Sequence, residues 1–230
     1  MAIKGRLQTI LAVWLFSLAA TSVANAQYAG GSGTADDPYQ IATAADLILL
    51  GETPEDYDKH FILSADIDLD PNLPGGKVFD RAVIAPDIDD GSNTWGNNGF
   101  DGVPFGGTVY GYGRTISHLT IAGTNYLGLF GTLGEGAEVR SIRLNAVNVT
   151  GQDFVGGLAG ANRGGEIIDC YSSGRVRGNR YVGGLVGINW PTIGWQYWYP
   201  GGPHAVDDAR PASIYLSQAA GEVYGQEFIG

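Results

Sequence analysis

One cysteine, Cys170, stands in 230 residues, and no methionine follows Met1. A lone thiol excludes an internal disulfide framework, so packing and backbone pairing must hold the fold. Cations are scarce, with 13 Lys and Arg against 24 Asp and Glu. Such a balance argues against nucleic acid as a partner, because its phosphates would be repelled. No apolar run reaches the ~20 residues that a membrane-spanning helix needs. The H-E-x-x-H pattern of zinc peptidases is missing, since Phe61-Ile62 follow His60 and Leu119-Thr120 follow His118. Nucleotide-binding loops, triad spacings and zinc patterns are missing as well.

The first residues read as an export signal. Lys4 and Arg6 precede an apolar run from Ile10 to Ala20, and Ala24-Asn25-Ala26 supplies an A-x-A cleavage site. Cleavage there leaves a secreted chain that begins near Gln27, with 11 cations against 24 carboxylates. The charge is uneven: residues 27–124 hold 15 acidic and 4 basic groups, whereas 125–190 hold 5 and 6. No membrane span is expected after cleavage.

Glycine is abundant, at 37 residues, but it follows no G-x-y period. Apolar and aromatic residues lie between the glycines throughout, which suits a packed core better than disorder. FVGGLAG at 154–160 is answered by YVGGLVG at 181–187. Tyr126, Phe154, Tyr181 and Phe228 open successive copies at spacings of 28, 27 and 47, the last being one period plus an insertion. Val149, Val176 and Val223 keep the same register, as do Val139 with Ile167 and Ile142 with Cys170. Self-similarity at this period marks a solenoid or array.

Helical repeats are disfavoured by the Gly, Ser and β-branched content and by turn signals every seven to ten positions. Each unit reads as three short strands separated by corners. A contour of roughly 90 Å per 27 residues fits a coil whose neighbours sit ~4.8 Å apart. The expected fold class is all-β: a right-handed parallel β-helix (solenoid), its hand following the rule for parallel crossovers, with a small N-terminal α/β cap. Tyr126, Phe154, Tyr181 and Phe228 should stack inward, as should Leu129, Leu158 and Leu185. Gly156-Gly157 and Gly183-Gly184 should be corners where a Cβ would strike the adjoining coil. Cys170 should be a small core hydrophobe.

The expected organisation is a signal peptide over 1–26, a cap over 27–70, an acidic loop with a first coil over 71–124, and repeats over 125–230. Within the cap, Tyr39–Ile41 reads as a strand. Thr43 to Asp46 forms a capping box opening a short helix that stops at Gly51. His60 to Leu69 alternates as one strand of period two. The chain ends three residues into a further copy of the phrase, which reads as truncation.

The two phrases, followed by Cys170-Tyr171-Ser172 and a Gly-Arg-Val-Arg-Gly turn, resemble the GLUG motif. FGGTVYGYGRTISHLTI (105–121), leading into NYLGLFG, resembles the first coil before such repeats. The resemblance implies an exported bacterial β-helix at the cell surface. GLUG-type repeats also occur beside metallopeptidases of the immunoglobulin A1 protease type, but the resemblance supplies no catalytic residues.

Three groups of residues carry possible chemistry. The insertion at 189–208 crowds Trp190, Trp195, Tyr197, Trp198 and Tyr199 together, as platforms for a polysaccharide or a surface protein or as a self-packed cluster. The loop at 87–102 offers Asp87, Asp89, Asp90, Asn93 and Asp101, oxygen ligands suited to Ca²⁺ or Asx-turn formers at a surface. Asp66, Asp68 and Asp70 share one strand face and read as a solvated edge. They fail as a calcium loop, because Pro71 and Lys77 take the Gly and Glu positions.

An enzymatic alternative, a carbohydrate-active β-helix (polysaccharide lyase or glycoside hydrolase), rests on Asp207-Asp208 after His204. That group resembles the aspartate pair of β-helical polygalacturonases. The companion Asn-Thr-Asp, Gly-His-Gly and Arg-x-Lys motifs are absent, and adjacent strand residues point to opposite faces. Arg175 and Arg177 should share an outward face, with no acidic partner pattern evident. The expected function is a secreted surface module, structural, adhesive or carbohydrate-contacting, without catalysis of its own.

Overall fold

The computed structural model describes residues 28–88, 99–190 and 212–229, the last three as backbone. The expected signal peptide lies outside these residues. Among the described residues, short strands follow one another with a single α-helix. The first part holds β1 (Tyr39–Ile41), α1 (Ala44–Glu52), β2 (His60–Leu63) and β3 (Ile67–Asp68). Next come β4 (Thr108–Tyr110), β5 (Thr115–Ser117), β6 (Thr120–Ala122), β7 (Asn125–Leu127) and β8 (Phe130–Leu133). The following repeat is β9 (Glu138–Arg140), β10 (Arg143–Thr150), β11 (Asp153–Val155) and β12 (Ala159–Arg163). Then come β13 (Glu166–Ile168), β14 (Tyr171–Arg177), β15 (Arg180–Val182) and β16 (Val186–Trp190), and finally β17 (Ser213–Tyr215), β18 (Gln218–Tyr224) and β19 (Glu227–Ile229).

The fold is all-β, and its sheets are parallel. One sheet runs β1-β2-β4-β9-β13-β17, a second β18-β14-β10-β5-β3, a third β19-β15-β11-β7 and a fourth β16-β12-β8. Each repeat thus adds one strand to every sheet. The register keeps the sequence period: Val139 faces Ile167, Val149 faces Val176, and Val176 faces Val223. Four strands per repeat replace the three expected. The extra bend falls at Phe154 and Tyr181, whose φ angles of 58° and 54° turn the chain in the left-handed region.

Alternation dictates what each strand buries. Ile116, Leu144, Val149, Ile167 and Val176 enter one continuous core with Leu129, Leu158 and Leu185. The leucine ladder is therefore present, and Leu158 N–H donates to the Leu185 carbonyl at 2.8 Å. Cys170 is buried and free of any disulfide, as a core hydrophobe should be. Gly157 lies where a Cβ would come within 2.7 Å of the Gly184 carbonyl oxygen in the next repeat. That close approach, rather than chain freedom, requires glycine there.

The N-terminal segment differs in detail from the sequence reading. Thr43 caps α1 through a complete capping box with Asp46. The helix runs through Gly51 to Glu52, and Gly51 is needed because the Val83 carbonyl packs against its Cα. His60 to Leu69 is two strands in two sheets, with a corner between Leu63 and Ile67. Its alternation survives the corner, since Phe61, Leu63, Ile67 and Leu69 are all buried. Among the described residues, no helix is long and apolar enough to cross a membrane.

Candidate functional site

The left-handed turn at Tyr126, Phe154 and Tyr181 decides where their rings go. Strand pairing skips these residues: Asp153 faces Asn125 and Val155 faces Leu127, with Phe154 unpaired between them. Leu127, Val155 and Val182 fill the central core. The aromatic between each flanking pair turns away from that core. Tyr126 instead anchors a separate cluster with Phe100 and Ala161, against which Phe154 and Ile188 pack. The ladder exists, but it stands outside the central core, contrary to the inward stack expected. One positive φ per repeat is enough to reverse it.

The stack is regular. Tyr126 and Phe154 lie 4.5 Å apart at 12°, and Phe154 and Tyr181 lie 4.8 Å apart at 2°. Phe100 closes one end edge-on against Tyr126 at 5.1 Å. Trp190 meets Phe154 and Tyr181 edge-on at 5.7 and 6.5 Å. Arg163 threads between them, its guanidinium 5.7 Å from the Phe100 ring, 5.6 Å from Tyr126 and 5.4 Å from Trp190. Its Nη2 donates to the Tyr126 hydroxyl at 3.3 Å. Burial pushes the Tyr126 phenol up to about 12 and the Arg163 guanidinium down, and the Asp87 carboxylate acts on both. Phe154 has both faces covered by neighbouring rings. The arrangement supplies a rigid apolar wall with one cation set in it.

Of the residues singled out in the aromatic insertion, Trp190 is half-buried against the stack, whereas Trp195, Tyr197, Trp198 and Tyr199 lie outside the described residues. Of the candidate calcium ligands, Asp87 accepts a hydrogen bond from the Asp101 amide at 2.9 Å. Asp89, Asp90 and Asn93 lie outside the described residues, as do His204, Asp207 and Asp208. No three His, Cys, Asp or Glu side chains converge among the described residues.

Phe100 and Arg163 were not singled out from the sequence. Arg163 was within reach of the period, because it is the register partner of Trp190. Phe100 had no such signal, since it sits in a loop outside the repeat.

Two further groups bear on the sequence reading. Arg175 and Arg177 do share an exposed face, but Arg175 Nε donates to Glu222 at 2.8 Å, a partner 47 residues away. Arg177 lies over the Tyr224 ring at 4.9 Å. Asp66 and Asp68 stay solvent-exposed and Asp70 half-exposed, with partners: Asp66 accepts from the Thr115 amide, Asp68 pairs with His118 Nδ1 at 2.8 Å, and Asp70 accepts from the Asn72 amide. Inside the fold, Asn162 donates to Asn189 Oδ1 at 2.8 Å and to the Gly165 carbonyl, and Asn189 donates to the Ala212 carbonyl.

Comparison with known proteins agrees with this periodic construction. The family signature described as the GLUG motif matches residues 155–177. Halomucin of Haloquadratum walsbyi is 34% identical over 163 residues, covering 68% of this chain and 2% of halomucin. A Gly-rich membrane protein of Evansella cellulosilytica is 37% identical over 152 residues, covering 62% of this chain and 15% of its own length. The chain thus spans a small fraction of these relatives. No solved structure matches it. The signature at 155–177 shows that the chain carries the GLUG motif, and its register continues in the repeats on either side.

Proposed function

We infer that the chain winds as a right-handed parallel β-helix and serves as a structural surface module of an exported protein. The observation that carries this reading is the shared register. Every sheet pairs residues one repeat apart, as Asp153 with Arg180 and Ala159 with Val186, so like side chains recur at strand spacing. The hand follows from the general preference of parallel crossovers. Much of the polar and aromatic inventory is turned on itself, in the Asn162–Asn189 pair and the Tyr126–Phe154–Tyr181 stack. That construction suits a stiff spacer or adhesive surface better than a catalytic cleft. The surface location draws on the export-type N-terminus and on relatives whose names describe a mucin and a membrane protein.

The test is to express the full chain with an epitope tag in a secreting host. It should be found outside the cell or protease-accessible at its surface; retention in the cytosol would reject the reading. Incubation with polysaccharides should release no new reducing ends or unsaturated sugars. Release of either would favour the alternative of a carbohydrate-active enzyme.

A further inference from the structure

A second part of the surface has the opposite character to the aromatic stack, because its polar groups are left open. Between the first and second sheets, each repeat turns a corner through a residue with positive φ: Ser141 at 51°, Asp169 at 51° and Leu216 at 50°. The next strand then begins with Arg143, Tyr171 or Gln218, which are mutual register partners. The corner row and the strand row enclose a shallow groove lined by Arg143, Asp169, Tyr171, Leu216 and Gln218, with Cys170 at its base. Burial pushes the Cys170 thiol up to about 11, so the floor is neutral and unreactive at ordinary pH.

The groove walls are fixed and chemically mixed. Ser141 Oγ donates to Asp169 Oδ2 at 2.9 Å, and the Asp169 amide donates to the Tyr215 carbonyl at 3.0 Å. The side chains of Arg143, Tyr171 and Gln218 make no hydrogen bond to the described residues, so their donors and acceptors face solvent. Leu216 and the Tyr171 ring add apolar surface to the lining.

We propose that this corner groove is a binding site for an uncharged glycan. A carboxylate acceptor, guanidinium and amide donors, and an aromatic ring within one shallow cleft complement neighbouring sugar hydroxyls and the apolar face of the ring. Arg143 and Asp169 offset each other within the groove, and the chain's 24 acidic against 13 basic residues disfavour a polyanionic glycan. A strand-like peptide fits poorly, because the groove runs across successive strands instead of along one. The proposal deepens the surface-module reading and rests on it, naming the ligand class that such a surface would take.

The test is affinity electrophoresis of the purified chain. Gels contain hydroxyethyl cellulose, galactomannan, xylan or glycogen, with polygalacturonate as the polyanion. At least one neutral polymer should retard the protein. Asp169→Asn and Gln218→Ala should each weaken that retardation about tenfold, the scale of one lost hydrogen bond to a charged or well-placed group. Glu135→Gln, an exposed change at the corner between the fourth and first sheets, should retain it. Far-UV circular dichroism and the masking of Cys170 establish that each variant is folded. Gln218→Ala is the safer variant, because Gln218 is exposed in the last strand of its sheet. Absence of retardation by every neutral polymer overturns the proposal. So does retardation by polygalacturonate alone, or retardation undiminished in both groove variants. Cell location is read separately, so a cytosolic protein that still binds glycan defeats only the surface reading.

Discussion

Phe154 lies flat against Tyr181, with ring centroids 4.8 Å apart and planes 2° apart, although 27 residues separate them. The spacing is that of neighbouring strands, so each ring takes the place of its copy in the adjoining repeat. Phe154→Ala removes the central ring and leaves Tyr126 and Tyr181 without a shared neighbour. The loss should be about 2–4 kcal/mol, somewhat below a fully buried phenylalanine because Phe154 keeps some exposure. Urea unfolding followed by tyrosine and tryptophan fluorescence measures it.

Asn162 is wholly buried and serves three bonds at once, to Asn189, to the Gly165 carbonyl and from the Gly165 amide. Asn162→Ala strands the buried Gly165 amide and carbonyl and removes the bond to Asn189. A destabilisation of about 2–4 kcal/mol is expected. Asn162→Leu should also destabilise, although Leu133 holds the equivalent place one repeat earlier, because the Gly165 peptide still loses its partner. Equal midpoints for wild type and Asn162→Ala would refute this role.

Glycines in the repeat should divide by what surrounds them. Gly157→Ala drives a methyl to within 2.7 Å of the Gly184 carbonyl oxygen and should lower stability by about 1–3 kcal/mol. Gly106→Ala, with its nearest neighbour at 3.4 Å, should be close to neutral. Thermal unfolding of the two variants side by side distinguishes them.

His118 pairs with Asp68 at 2.8 Å, and that hydrogen bond raises its pKa above the ordinary histidine value. A raised folded pKa means that the pair stabilises the fold below the unfolded value of about 6.5, and that this contribution fades as pH rises through the folded value. Both groups are half-exposed, so the effect is small. The difference in Tm between wild type and His118→Gln should be greatest near pH 5 and vanish in alkaline buffer, with sign favouring wild type.

Cys170 should be silent toward an aromatic disulfide reagent in the native protein and react promptly once guanidinium unfolds it. Its thiol is buried, and burial raises its pKa to about 11, so little thiolate is present and the reagent has no access. Fast native reaction would contradict the packing described for the core.

Much of this was legible in the residues because a repeat states its register openly. The matches of Val149 with Val176 and of Ile142 with Cys170 needed only the period, and the capping box at Thr43 only its local spacing. The aromatic ladder was legible as a ladder but not as one that packs apart from the central core. Period-two alternation assigns a face only while the backbone stays extended, and the positive φ at Phe154 was not written in any residue type. The break between Leu63 and Ile67 escaped for a related reason, since alternation continued across the corner. Glu222 as the partner of Arg175 lay beyond the insertion, and Phe100 had no repeat to declare it.

The residues alone determined the repeat length, the strand-rich composition, the buried apolar rows and the role of Cys170, because each follows from local pattern and from burying like against like. Tertiary structure decided which way the aromatic rings face, how Arg163 comes to lie among three of them, and where a polar groove opens beside Asp169. Those outcomes depend on corner dihedrals and on contacts between distant segments. Neither quantity is encoded at any single position.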